Sequence, residues 1–222
     1  MSPHPDDAVW SCGGAIARWI SEGDLVTVVT VFDGHESALD ASTDGTGPAA
    51  RRAEDEAALA ELSARLVSFG LPEARLRLDA GVPRYRSTLA VRRLPHQRDH
   101  RIPDEVASLL RPYAEAADEV LAPLGVATHV DHALTRLAVD LMAMPDRIRY
   151  YPEFPYPPVE PAGLTRTWLT VRFSPWLRAA LRYRSQVDAM FGGPLSFARA
   201  LSRRAQLTTS GTARWAQWEV AS

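Results

Sequence analysis

Two short stretches of this chain hold side chains that could act together. The chain opens MSPHPDDAVWSCGG, which sets His4, Pro5, Asp6 and Asp7 in one run. Residues 128–140 read THVDHALTRLAVD, with His129 and His132 three apart. Adjacent carboxylates repel, and a proline stiffens the turn that holds them. Such a turn makes sense where a cation shares it. If a helix begins near Val130 or Asp131, both imidazoles fall on the same side. Together the clusters offer His4, His132 and Asp7. Three ligands of N and O type, with one position open for water, suit a catalytic zinc; the same donors also accept Fe(II) or Co(II). Alone, HPDD reads as a capped turn and HxxH as a chance spacing. Their shared placement, each after a strand, carries the metal reading.

The elements that must position them alternate. Residues 25–32, LVTVVTVF, form a β-branched apolar run, a strand buried on both faces. Residues 51–67 place Ala58, Leu62 and Leu66 on one helical face. A short strand is expected at 76–78, helices at 104–117 and 131–143, and a strand at 119–122 between them. Strands at 147–151 and 167–173 and a helix over 175–191 follow. This alternation predicts an α/β fold with a mainly parallel sheet and helices on both faces. Ligands of such a sheet bind at the carboxyl ends of its strands. HPDD sits where a first strand would feed a helix starting near Val9. Only Met1, Ser2 and Pro3 precede His4, so that strand is expected to be cut short. Gly13 and Gly14 then lie inside the helix, where each costs about 1 kcal/mol relative to Ala. They make sense if the helix packs closely. Residues 33–50 and 152–162, the latter with five prolines, read as loops and are expected to flank the metal site.

Composition narrows the field. The 222 residues fit one domain over 1–222, with 46% hydrophobic and 23% charged residues. A net charge of −2 gives no broad attraction to nucleic acid or anionic lipid. There is no apolar run long enough to span a membrane and no signal-peptide layout. The lone Cys12 excludes an internal disulfide and fits the cytoplasm. All 25 basic residues are arginine, a bias of GC-rich bacterial coding.

The residues SPHPDDA at 2–8, SCGG at 11–14, PLG at 123–125 and HVDH at 129–132 resemble the PIG-L/LmbE-like zinc-dependent de-N-acetylases. Arg51-Arg52-Ala53-Glu54, Phe69-Gly70-Leu71-Pro72, Asp79-Ala80, Tyr150-Tyr151 with Phe154-Pro155-Tyr156, and Tyr183-Arg184-Ser185-Gln186 extend the resemblance over nearly the whole chain. It implies a Rossmann-like three-layer sandwich and a metal held by His4, Asp7 and His132. Asp6 is then the general base, and His129 stabilises the oxyanion or protonates the leaving amine. Zinc can bring the pKa of a bound water to about 7. Arg51 and Asp79 become the expected substrate contacts. The implied substrate is a small N-acylated metabolite, an amino sugar or a relative of one. Three features depart from the family: members usually have a full strand ahead of the first motif, where only Met1, Ser2 and Pro3 stand here; Ala8 stands where many members have Glu; and Ala127 where some have a Tyr donor.

Other readings stay open. A non-catalytic carbohydrate-binding or accessory protein could keep this fold, although an inactive copy would be free to lose Asp6. A metal hydrolase of another amide or an ester is also compatible. Oligomeric state is not legible. His96, Asp99 and His100 could form a second metal site but read as a solvated loop between Pro95 and Pro103. Arg51 and Arg52 could instead pair with Asp55 and Glu56 at i,i+4. Cys12 reads as a packed residue, not a nucleophile. Asp131 is a helix-start residue or a partner of the ligands. Trp215 and Trp218 read as C-terminal packing.

Overall fold

The computed structural model describes residues 1–34, 47–87, 89–92, 95–125, 129–157 and 160–220. The middle of the 33–50 loop, Ala127, and residues 158–159 of the second loop lie outside the described residues. The chain runs α1 (Asp7–Glu22), β1 (Thr27–Thr30), α2 (Pro48–Leu62), β2 (Arg65–Ser68), β3 (Leu78–Asp79) and β4 (Val82–Pro83). It continues with α3 (Ile102–Ala116), β5 (Val120–Pro123), α4 (Val130–Leu141), β6 (Ile148–Tyr151) and β7 (Leu164–Arg172). Helices α5 (Phe173–Ala180), α6 (Arg184–Phe191) and α7 (Pro194–Arg204) precede the last strand, β8 (Thr212–Val220).

The fold is mixed α/β, and the expectation of a mainly parallel sheet needs correction. β1 pairs with β2, and β5 with β6, in parallel. β8 is antiparallel to both β6 and β7, and its register with β7 runs from Leu164↔Val220 to Arg172↔Thr212. After α7 the chain turns at Thr208–Gly211 and comes back along β7. That return makes this edge antiparallel. The residues ahead of His4 act as a strand stub: Ser2 bridges Thr30 in parallel, and the Met1 ammonium donates to the Leu121 carbonyl at 2.6 Å. The stub therefore links β1 to β5 and brings HPDD beside the segment that leads into α4.

Side chains of β1 alternate between two apolar layers, Val28 towards one and Val29 and Val31 towards the other. The first layer gathers α1, α2, α5, α6 and α7 around Trp10, Trp176 and Phe197. The second gathers α3 and α4 around Leu110, Leu134 and Val139. β1 is thus buried on both faces, as its run of Val and Thr predicts. Gly13 and Gly14 are explained by close packing, against Trp176 of α5 and Val171 of β7. A methyl group at Gly13 would lie 2.5 Å from the Trp176 ring, and one at Gly14 2.7 Å from both the ring and Val171. Trp215 is buried and donates to the Ser11 carbonyl at 2.8 Å, and Trp218 is buried in the second layer, so both are packing residues.

Two helices end earlier than periodicity predicts. The one expected over 51–67 stops at Leu62, because Ser63 turns left-handed (φ 61°) and residues 65–68 pair with β1. The one expected over 175–191 breaks at 181–183, where buried Tyr183 donates to Asp55 at 2.5 Å and holds the chain on α2.

Candidate active site

The HPDD turn is built from its own polar groups. Pro5 fixes φ. The Ser2 hydroxyl donates to the His4 carbonyl at 2.6 Å and accepts the Ala8 N–H at 2.9 Å. The His4 N–H donates to Asp7 Oδ2 at 2.9 Å. Asp6 stands just ahead of α1 with φ 99°, a conformation that costs a non-glycine residue about 1–3 kcal/mol. The turn thereby sends the Asp6 and Asp7 side chains to different neighbours. α4 begins at the other cluster, where the His129 ring accepts the Asp131 N–H at 3.2 Å as a side-chain cap. Two helix N-termini, of α1 and α4, border the same cluster and favour negative charge there.

Asp7 Oδ2 lies 3.3 Å from His4 Nδ1 and 3.3 Å from His132 Nε2. Donor atoms on adjacent corners of a tetrahedral zinc site, with bonds near 2.0–2.1 Å, are about 3.3 Å apart. The far nitrogen of each imidazole meets a buried carboxylate: His4 Nε2 with Asp131 Oδ2 at 2.9 Å, and His132 Nδ1 with Glu153 Oε1 at 3.3 Å. These outer partners fix each ring's tautomer and turn its other nitrogen towards Asp7, the usual support of a metal-bound histidine. Ring nitrogens of His4, His129 and His132 also come within 4.8 Å of one another. That spacing is looser than the edge set by Asp7.

Electrostatics distinguish the two acids. Burial would raise Asp7, but His132 and then His4 outweigh it and hold its carboxyl well below the usual range. Burial and the neighbouring Asp7 push Asp6 the other way, well above that range. Burial would lower both imidazoles. Asp131 and Asp7 reverse this for His4, which rises to about 10, and Asp7 does so for His132, which rises to about 9. His129 is lowered to about 3, first by burial and then by His4, so its ring is neutral. Its Nδ1 accepts the Asp131 N–H, which leaves the ring proton on Nε2.

The other expected site residues fall in different places. Arg51 pairs with Glu73, donates to the Pro5 carbonyl at 3.3 Å and stands 3.9 Å from Asp6. It thus reaches the cluster, while Asp55 spends its carboxylate on Thr30 and Tyr183. Arg52 donates to the Asp33 carbonyl at 2.9 Å. Asp79 lies in the β3–β4 hairpin and pairs with Arg98 at 2.6 Å; among the described residues no hydrogen bond or ion pair joins it to the cluster. His96 accepts the Arg98 N–H, His100 Nδ1 meets the Gln97 carbonyl, and Asp99 faces Arg84 and Tyr85, so the three do not converge. Cys12 is buried and its thiol is pushed up by burial, which fits packing. Asp131 takes the ligand-partner role: buried in the first turn of α4, it meets His4, Arg77 and the Ala74 N–H. Of the two loops, the described part of 152–162 reaches the site through Glu153 and Tyr156.

Sequence reading assigned no role to Glu153, Arg77 or Tyr156, although Tyr156 stands among the residues that carry the family resemblance. Glu153 is fully buried and also accepts the Gly125 N–H at 2.9 Å. Arg77 lies between the rings of Phe32 and Tyr85 and bridges Asp131 to Asp99. Tyr156 packs edge-on to His132, with ring centroids 5.8 Å apart, and its phenol is pushed up to about 12 by burial and by Asp7. The available signal was a lone acid within YYPEFPY directly after a strand.

A turn with two unlike carboxylates and two oriented imidazoles suits metal-assisted hydrolysis. The chain belongs to the PIG-L family: the family profile described as GlcNAc-PI de-N-acetylase matches residues 1–143. It is similar to a 2'-N-acetylparomamine deacetylase of Niallia circulans, 27% identical over 227 residues that cover 86% of this chain and 81% of that protein. A protein of the same name from Streptomyces fradiae is 34% identical over 147 residues, covering 63% of this chain and 49% of that protein. Among solved structures, a zinc-inhibited form of teicoplanin deacetylase superposes with a TM-score of 0.80 at 27% identity, covering 99% of this chain and 96% of that one.

Proposed function

We propose that this chain is a metal-dependent hydrolase that removes an N-acetyl group from an amino sugar. His4 Nδ1, Asp7 Oδ2 and His132 Nε2 are its metal ligands. The observation that carries this reading is the pair of 3.3 Å separations at Asp7 Oδ2, with the opposite nitrogen of each imidazole on a buried carboxylate. When bound, a divalent ion polarises the amide carbonyl and acidifies a water; zinc is the ion we assign. Asp6, off the ligand set and with its raised affinity for protons, takes a proton from the attacking water and passes it to the leaving amine. Arg51, 3.9 Å away, steadies the Asp6 carboxylate and offers N–H groups to substrate oxygens. His129, neutral with its proton on Nε2, donates a hydrogen bond to the developing oxyanion.

The substrate class follows the relatives named 2'-N-acetylparomamine deacetylase and teicoplanin deacetylase. The two apolar layers around the strands support the Rossmann-like sandwich, and the chain 1–222 is assigned to one domain. No helix among the described residues is long and apolar enough to cross a membrane. A single buried cysteine fits the cytoplasm. The test is amine release from a panel of N-acetyl amino sugars that includes 2'-N-acetylparomamine. The expected result is turnover that is lost on chelation and restored by zinc, cobalt or iron(II). Undiminished turnover in fully chelated protein would overturn the metal assignment, and no turnover across the panel with the metal-loaded protein would overturn the substrate class.

A further inference from the structure

The six tyrosines of the chain do not use their phenols alike. Tyr85 donates to Asp99 at 2.6 Å, Tyr150 to Asp140 at 3.2 Å, Tyr151 to the Met1 carbonyl at 2.7 Å and Tyr183 to Asp55 at 2.5 Å. Tyr113 is exposed on α3, against Phe69. Tyr156 is partly exposed, its ring stands on the edge of His132, and among the described residues its hydroxyl has no hydrogen-bond partner.

The backbone that carries Tyr156 is held from several sides. The Arg204 guanidinium donates to the Pro152 carbonyl at 3.1 Å and to the Tyr156 carbonyl at 3.5 Å. The Phe154 N–H donates to the Ser11 hydroxyl at 3.1 Å, and the Phe154 ring stacks on Phe191 at 5.7 Å. Glu153, three residues before Tyr156, is itself fixed by His132 and Gly125. A cross-linked turn, buried over 151–154, thus presents one open phenol next to a candidate ligand. A partly exposed phenol that is held beside a candidate ligand and has no protein partner among the described residues is suited to a partner that arrives with the substrate.

We propose that the Tyr156 hydroxyl is a substrate-contacting donor, which hydrogen-bonds the oxygen of the scissile acyl group and strengthens that bond as the oxygen becomes an oxyanion. It acts beside His129, which approaches from the start of α4. The inference rests on the hydrolase reading above. Donors aimed at developing charge act mainly on the chemical step, because they bind the transition state more tightly than the ground state.

Tyr156→Phe keeps the ring on His132 and removes only the hydroxyl. The expected result is a fall in kcat of roughly 10²-fold, the usual effect of one oxyanion donor, with KM nearly unchanged. Metal content and thermal midpoint should match the parent protein. Acetate, which presents the same acyl oxygens, should bind the metal-loaded variant more weakly by calorimetry. Parent-like kcat, a rise in KM alone, or loss of metal or of thermal stability in Tyr156→Phe would each overturn the proposal. If the parent protein released no amine from any N-acetyl amino sugar, the hydrolase reading would fail first. The acetate titration would then decide the role of Tyr156 separately, and equal acetate affinity in the two proteins would refute it.

Discussion

Replacing Glu153 tests how far the metal depends on a residue that never touches it. Its Oε1 accepts both the His132 ring, at 3.3 Å, and the Gly125 N–H, at 2.9 Å, and the side chain is buried. Glu153→Gln can keep an oxygen in that place but removes the charge that makes His132 a better donor. Glu153→Ala also leaves the buried His132 ring N–H without an acceptor, at about 1–3 kcal/mol, and frees the half-buried Gly125 N–H. Outer partners of metal-bound histidines typically change metal affinity by about 10–100-fold, or about 1.4–2.8 kcal/mol. Gln should fall at the lower end of that range. Ala should reach the upper end and also lower the thermal midpoint. The assay is competition for zinc against a chromophoric chelator at neutral pH, with folding checked by circular dichroism. If both variants bound zinc as tightly as the parent protein, the tautomer-fixing role assigned to Glu153 would be wrong.

Two further outcomes follow from the same geometry. The metal-free site raises His4 to about 10 and His132 to about 9, so at pH 7 both rings carry an extra proton that an incoming ion must displace. A raised pKa means that protons compete well; metal affinity should climb with pH and level off above about 10, with about two protons released at neutral pH. Calorimetry in buffers of different ionisation heat measures that release, and a value near zero would contradict it. At Gly14, Ala is favoured by helix propensity by about 1 kcal/mol. Its methyl group would nevertheless lie 2.7 Å from the buried Trp176 ring and 2.7 Å from Val171. Overpacking of about 1–3 kcal/mol should win, and Gly14→Ala should lower the thermal midpoint; a rise would refute the close packing.

What the sequence disclosed, and what it hid, divides along physical lines. HPDD and HVDH were legible because each packs several ligand-type side chains into one turn, and because the short apolar run at 119–122 marks the strand that precedes HVDH. α3, α4 and β5 were legible because amphipathic period and β-branched runs are local signals. Arg77 and Tyr156 carry no local signal of a role, and Glu153 only a faint one, a lone acid after a strand; their roles arise when the 152–157 turn and the 74–77 segment meet α4 in space. The early end of α2 was hidden for a similar reason. Residues 63–67 continue a helical pattern, yet pairing with β1 overrides it. β8 was read only as packing around Trp215 and Trp218, because it is buried on both faces, with Ala213 and Trp215 towards one layer and Ala216 and Trp218 towards the other, so its sequence shows no alternation of apolar and polar residues.

The central claim is that HPDD divides its labour, with Asp7 on the metal and Asp6 on the proton. Its most direct test is the metal content and turnover of Asp6→Asn, measured on one sample against the parent protein. Asp6 is absent from the proposed ligand set and stands 3.9 Å from Arg51, so the variant should keep metal at the parent ratio while turnover drops roughly 10²–10⁴-fold. Loss of metal from Asp6→Asn, or full turnover with metal retained, would contradict the account.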